Sequence, residues 1–177
     1  MADLMQDLVV TATAEHLGVI AVGYFQTEGD QGSFVVVRFH PNGALDPTFG
    51  QAGVVTVKVG TCDDQAVDVA VQQDGKTVVV GTSFDFGRGS QITALRFLPD
   101  GTPDRGFGIE GRVTVRLGSG YDQAEALEVG ADGTLRIRAE SGLDHRKRTL
   151  VLGPGGEPLF PVPPVLPWGH GSRLSPP

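Results

Sequence analysis

The chain states one pattern twice, at a spacing of 58 residues. Arg38-Phe39-His40-Pro41-Asn42-Gly43 returns as Arg96-Phe97-Leu98-Pro99-Asp100-Gly101. Asp46, Phe49, Gly50 and Gly53 return as Asp104, Phe107, Gly108 and Gly111. Asp64-Gln65-Ala66 returns as Asp122-Gln123-Ala124, and Asp74-Gly75 as Asp132-Gly133. A fixed period of this size, in a Val- and Gly-rich chain, marks stacked supersecondary units that bury their apolar faces on one another.

Each unit reads as a run of short strands. Val67, Val69 and Val71 alternate with polar or small residues, which places the three valines on one face of a half-buried strand. Gln73-Asp74-Gly75-Lys76 carries the Asp-Gly signal of a tight hairpin. Thr77 to Val80 forms a β-branched second strand that Gly81 ends, leaving Ser83 to Gly89 as a longer, mobile loop. The third strand, Ile92 to Leu98, stops at Pro99-Asp100-Gly101, because proline lacks a ladder donor and glycine permits a positive φ. Asp104 to Gly111 is a structured loop around Phe107, after which Val113, Val115 and Leu117 share one face of a fourth strand. The expected fold is all-β: tandem four-stranded antiparallel, blade-like repeats forming a partial or oligomer-completed β-propeller.

The units span about 8–59, 66–117 and 124–152, within a repeat domain covering 1–152. In the first, Gly18 to Gly23 and Phe34 to Phe39 are strands, Val55, Val57 and Val59 share a face, and Glu15-His16-Leu17 replaces the Asp-Gly turn. The third is degenerate. Arg136 and Arg138 stand where apolar side chains stood before, and Leu150 to Gly156 echoes Leu95 to Gly101 three residues out of phase. Residues 153–177 read as a loose Pro/Gly-rich extension that holds Trp168.

Fewer than three complete units fall short of the four to eight blades of a closed propeller. A fragment, a ring closed by several chains and a compact non-propeller arrangement all satisfy that count. The arginine-bearing strand fits either the polar cap of a terminal repeat or a damaged coding end.

A formal charge of -7 opposes non-specific binding to nucleic acid, so no nucleic-acid partner is expected. Cys62, the only cysteine, reads as a small residue at a strand end and permits neither an intrachain disulfide nor a cysteine metal cluster. No stretch reaches the roughly 20 apolar residues that cross a bilayer, so no membrane insertion is expected. Met1 to Asp7 carries acidic residues where an export signal carries basic ones, and the compartment stays open.

The repeated polar residues read most simply as structure. Arg38 and Arg96 are expected to pack between sheets and pair with Asp46 and Asp104, or those aspartates to cap their own loops as Asx-turns. Phe49 and Phe107 read as plugs between neighbouring sheets, with Gly50, Gly53, Gly108 and Gly111 as backbone requirements. None of these glycines makes a phosphate loop, since the lysine-hydroxyl pair and following helix are missing.

Asp63, Asp64, Asp85 and Asp122 could supply a carboxylate pair of glycosidase type or bind calcium, but a turn or solvated role is the simpler reading. His16, His40, His145 and His170 lack zinc spacing, and no Gly-x-Ser-x-Gly elbow occurs. The basic run His145-Arg146-Lys147-Arg148 is expected on a solvated face. No catalytic, metal or cofactor-binding set is assigned, and no cofactor is expected.

The spaced pattern from Arg38-Phe39 through Leu45-Asp46-Pro47-Thr48-Phe49-Gly50, with its second copy from Arg96 to Gly111 and Asp132-Gly133, resembles the delta-60 repeat over about residues 8–133. That resemblance implies bacterial β-propeller-like units, usually in long arrays on secreted or surface proteins, with no general catalytic set. The expected function is a non-enzymatic structural or binding module, its partner a protein, a glycan or a second copy of the chain. The alternatives are a glycan-processing hydrolase completed by missing blades or partner chains, and a truncated product without a role of its own.

Overall fold

The computed structural model describes residues 4–12, 18–26, 31–118 and 120–159. Among these residues, eleven strands form three antiparallel sheets. The first contains β1 (Leu4–Ala12), β2 (Val19–Gln26), β3 (Ser33–Phe39) and β4 (Val54–Val57), in that order. The second contains β5 (Asp64–Val71), β6 (Thr77–Asp85), β7 (Gly89–Phe97) and β8 (Arg112–Val115). The third has β9 (Gln123–Val129), β10 (Leu135–Glu140) and β11 (Lys147–Leu152). Every sheet is a meander of chain neighbours, and no helix occurs among the described residues. None is therefore long and apolar enough to cross a membrane.

The sheets stack face to face, with β5 packed against β1, β2 and β9. Two cores result. Ile20, Val22, Phe34, Val36 and Phe49 of the first unit meet Val69, Val79, Leu95 and Phe97 of the second. Val78, Val80, Ile92, Ala94 and Phe107 of the second meet Ala124, Leu135, Ile137, Leu150 and Leu152 of the third. Successive residues of β6 thus enter different cores, which explains its unbroken run of buried β-branched residues. Stacked four-stranded meanders of this kind form part of a β-propeller.

Two features differ from the pattern of the bare sequence. Gly81 does not end its strand: β6 continues to Asp85 and turns tightly into β7 at Gly89, so the expected loop from Ser83 is mostly ladder. A Cβ at Gly81 would lie 2.1 Å from the Gln65 carbonyl oxygen and 2.6 Å from the Phe34 ring. The glycine serves close approach opposite a bulge between Ala66 and Asp68. The same bulge breaks the valine alternation: Val67 packs on the second core, whereas Val69 and Val71 pack on the first.

The third unit keeps its frame with three residues removed. Leu152 pairs with Pro158 as Phe97 pairs with Pro103 and Phe39 with Leu45. Residues 153–159, read above as the start of an extension, form the turn that follows β11, and Gly155 accepts a hydrogen bond from Gly108 N at 2.8 Å. Residues 160–177, including Trp168 and His170, lie outside the described residues, as does the first-unit turn at Glu15-His16-Leu17.

The two outer faces of the stack differ in chemistry. Ala21, Val35 and Val37, on the far side of the first sheet, are all buried. On the far side of the third, exposed Arg136 sits between Glu128 and Val151, and exposed Arg138 sits opposite Thr149. Their counterparts Val78 and Val80 face the next blade. Replacing Arg136 and Arg138 together with valine is expected to turn a solvated face into an adhesive one. Light scattering across concentration should then show association beyond that of the parent chain; an unchanged mass would mean that the arginines do not act as a cap.

Candidate functional site

The repeated arginines are latches between sheets. Arg38 Nε donates to Asp46 Oδ2 at 2.8 Å, its guanidinium carbon lies 4.6 Å from the Phe49 ring centroid, and Nη1 donates to the Pro99 carbonyl at 2.5 Å. Arg96 repeats each contact: 2.8 Å to Asp104, 4.5 Å to the Phe107 ring and 2.5 Å to the Pro154 carbonyl. The arginine of one blade therefore clamps the turn of the next. Charge-assisted bonds and a cation over an aromatic face are at their strongest when water is excluded, as it is here.

The loops between latch residues are equally matched. Gly50 and Gly108 both adopt φ 55, and Ala52 and Glu110 take φ 52 and 51, left-handed values that few side chains accept. One difference stands out. Arg38 Nη2 donates to Thr48 Oγ1, but Gly106 fills the equivalent position, so Arg96 has no hydroxyl beside it.

Both latch aspartates have lowered pKa values. The Thr48 hydroxyl does most to hold Asp46 below the usual range, followed after the opposing effect of burial by the Thr48 N–H and Arg38. At Asp104 burial pushes upward, and the Gly106 N–H with Arg96 outweighs it. A depressed folded value means that the unfolded chain binds protons more readily. The stabilisation is therefore complete above the unfolded aspartate value of about 4 and is lost as pH falls through the folded values. Urea midpoints between neutral and strongly acid pH should stay level until about pH 4 and then fall; a loss centred near pH 6 would implicate other groups.

The loop aspartates are bound as tightly. Asp64 is fully buried and accepts from Val59 N at 2.7 Å and Gly60 N at 2.9 Å. Asp122, equally buried, accepts from Leu117 N at 2.7 Å and Gly142 N at 3.1 Å. Asp63 accepts from Gly32 N at 2.8 Å, and Asp85 accepts from Thr61 N and pairs with Arg116 at 3.1 Å. Each of these carboxylates is engaged by backbone N–H groups, and Asp85 also by Arg116; Asp63 and Asp64, neighbours in the chain, share a pocket with Tyr24, Gln65 and Phe84. Among the described residues no cluster of His, Cys, Asp or Glu has the makings of a metal site.

The remaining candidates are similarly occupied. Cys62 is half-buried in the β4–β5 connection, where its N–H donates to Phe84 O at 2.8 Å. His40 is exposed just after β3, 3.6 Å from Asp46. The basic run is neutralised locally. Arg148 forms a bidentate pair with Asp144 at 2.8 and 2.7 Å, Lys147 reaches Glu125 at 2.6 Å, and His145 lies 3.1 Å from Glu140.

A concave site does exist, between two repeated turns that the sequence marked only as turns. The β5–β6 turn, the β9–β10 turn and Pro154 enclose a cleft of about 520 Å³ between the second and third sheets. Lys76, Arg96, Asp74 and Asp132 contribute charge to its walls, while Val71, Val129 and Pro154 contribute apolar surface. Gln72 also lines it, and its side-chain oxygen is the one buried side-chain polar atom among the described residues that lacks a hydrogen-bond partner. The repeated Asp-Gly turns and Arg96 were visible in the sequence, but nothing in it showed that they share a cleft with the unrepeated Gln72.

Fold and latches together define a class: a β-propeller built from repeated four-stranded blades, with two full blades and a three-stranded third among the described residues. Residues 19–49 and 72–107 match the family model described as "Domain of unknown function (DUF5122) beta-propeller". Both matches end on the plug phenylalanines, Phe49 and Phe107. No curated protein matches the chain significantly.

Proposed function

We propose that the chain is a non-enzymatic repeat module of delta-60 type, a rigid scaffold that presents turns and loops for binding. The observation that carries this reading is the engagement of the repeated charged residues. Arg38, Arg96, Asp46, Asp104, Asp64 and Asp122 are all spent on joining one part of the backbone to another. A catalytic carboxylate needs an oxygen directed at a substrate, with its partner across the cleft. The exposed Arg136 and Arg138 on the outer face of the third sheet favour a capped end over a face buried against another chain.

The test is incubation of the folded chain with a panel of chromogenic nitrophenyl glycosides. No turnover above buffer is expected. Turnover abolished by Asp63→Asn or Asp85→Asn would overturn the proposal and establish the hydrolase alternative.

A further inference from the structure

We propose that the cleft between the β5–β6 and β9–β10 turns is a binding site for a neutral, hydroxyl-rich ligand, a saccharide of one or two rings. This deepens the scaffold reading and rests on it. The size is appropriate: binding pockets for small molecules run from about 300 to 1,000 Å³, and this one holds about 520 Å³.

The electrostatics of the walls narrow the ligand class. Lys76 Nζ lies 2.8 Å from Asp74 Oδ2, and Arg96 Nε lies 2.8 Å from Asp104 Oδ2. Both cations are thus compensated before any ligand arrives, so a phosphate or carboxylate would find little net attraction and would have to displace a carboxylate. A cation fares no better, since Asp74 already holds a lysine and Asp132 Oδ1 is occupied by the Thr134 N–H and hydroxyl. A balanced wall selects an uncharged ligand.

The hydrogen-bonding pattern then asks for a molecule that both donates and accepts. Gln72 Oε1 is buried and unpartnered, which destabilises the fold until a donor reaches it. Arg96 lacks the hydroxyl that Thr48 supplies to Arg38, because Gly106 stands there. Both residues line the cleft, so a hydroxyl there can accept from the Arg96 guanidinium and, once the Gln72 amide turns outward, donate to its oxygen. Val71, Val129 and Pro154 provide an apolar wall for the C–H face of a sugar ring. The site is also particular to this junction: Ala14 and Gly130 occupy the Gln72 position in the other two units.

The experiment is a titration of the whole chain, followed by amide chemical shifts and saturation-transfer NMR, with glucose, galactose, N-acetylglucosamine, maltose and cellobiose as probes and inorganic phosphate as the charged comparison. Saturable shifts are expected at Gln72, Gln73, Lys76 and Gly130 to Gly133 for at least one saccharide. Gln72→Leu should weaken that binding at least tenfold. Ala131→Trp, at an exposed position on the lip, should abolish it while circular dichroism stays unchanged. No saturable shift with any saccharide, shifts that survive both variants, or tighter binding of phosphate would each overturn the proposal. New anomeric signals arising during the titration would instead overturn the non-enzymatic reading and leave the cleft occupied, so the two failures are separable.

Discussion

Phe107→Ala should destabilise the folded chain by about 3–5 kcal/mol, the range for deleting a buried aromatic side chain. The ring is fully buried in the second core, between the second and third sheets. On one side the Arg96 guanidinium covers it at 4.5 Å. On another the backbone of the following unit presses close: a Cβ on Gly156 would come within 3.1 Å of the ring and 2.7 Å of Val113. Strands and a latched turn form these walls, so the hole has little room to collapse and the cost should fall high in the range. Equilibrium urea unfolding with a fluorescence or dichroism readout measures it. A midpoint within error of the parent would show that Phe107 plugs nothing.

Breaking the latch comes next in size. Arg96→Leu keeps much of the side-chain volume but strands Asp104, and removing one partner of a buried pair costs about 3–5 kcal/mol. The value should sit near the lower end, because Lys76 Nζ is 3.7 Å from Asp104 and offers partial compensation. Adding Asp104→Asn removes the orphaned charge and should restore a large share of the loss. Simple addition of the two single effects would mean that the ion pair is not what the arginine contributes. Coupling between Arg96→Leu and Phe107→Ala, read from a double-mutant cycle, isolates the cation over the ring.

The latch was legible in the sequence because it is written twice with identical spacing. Arg96, Asp104 and Phe107 recur at fixed distances, and repetition at fixed offset implies a shared structural task. The core faces were legible for a related reason: Val113, Val115 and Leu117 pack on one core, as their period-2 spacing requires. Gly81 misled because glycine punctuates a chain in two ways, by permitting a turn and by vacating space for a neighbour. Only the position of the Gln65 carbonyl tells the two apart.

The cleft escaped for a different reason. Its walls come from Gln72 to Lys76, Val129 to Gly133 and Pro154, segments brought together by stacking and not by sequence proximity. Its most telling group, Gln72, belongs to no repeated pattern. The basic run shows the converse limit. His145 to Lys147 are exposed, in keeping with the solvated face expected of the run, but its local pairing with Glu140, Asp144 and Glu125 could not be read from the sequence.

The clamp between blades grips a main-chain carbonyl, at Pro99 and at Pro154, and never a side chain of the following unit. A carbonyl is the one acceptor that mutation cannot remove. A following unit can therefore drift in composition, and even lose three residues as the third has done, while still being caught by the one before it. Such a joint lets a gene lengthen, shorten or reorder its units by recombination without coordinated changes on both sides of each new boundary.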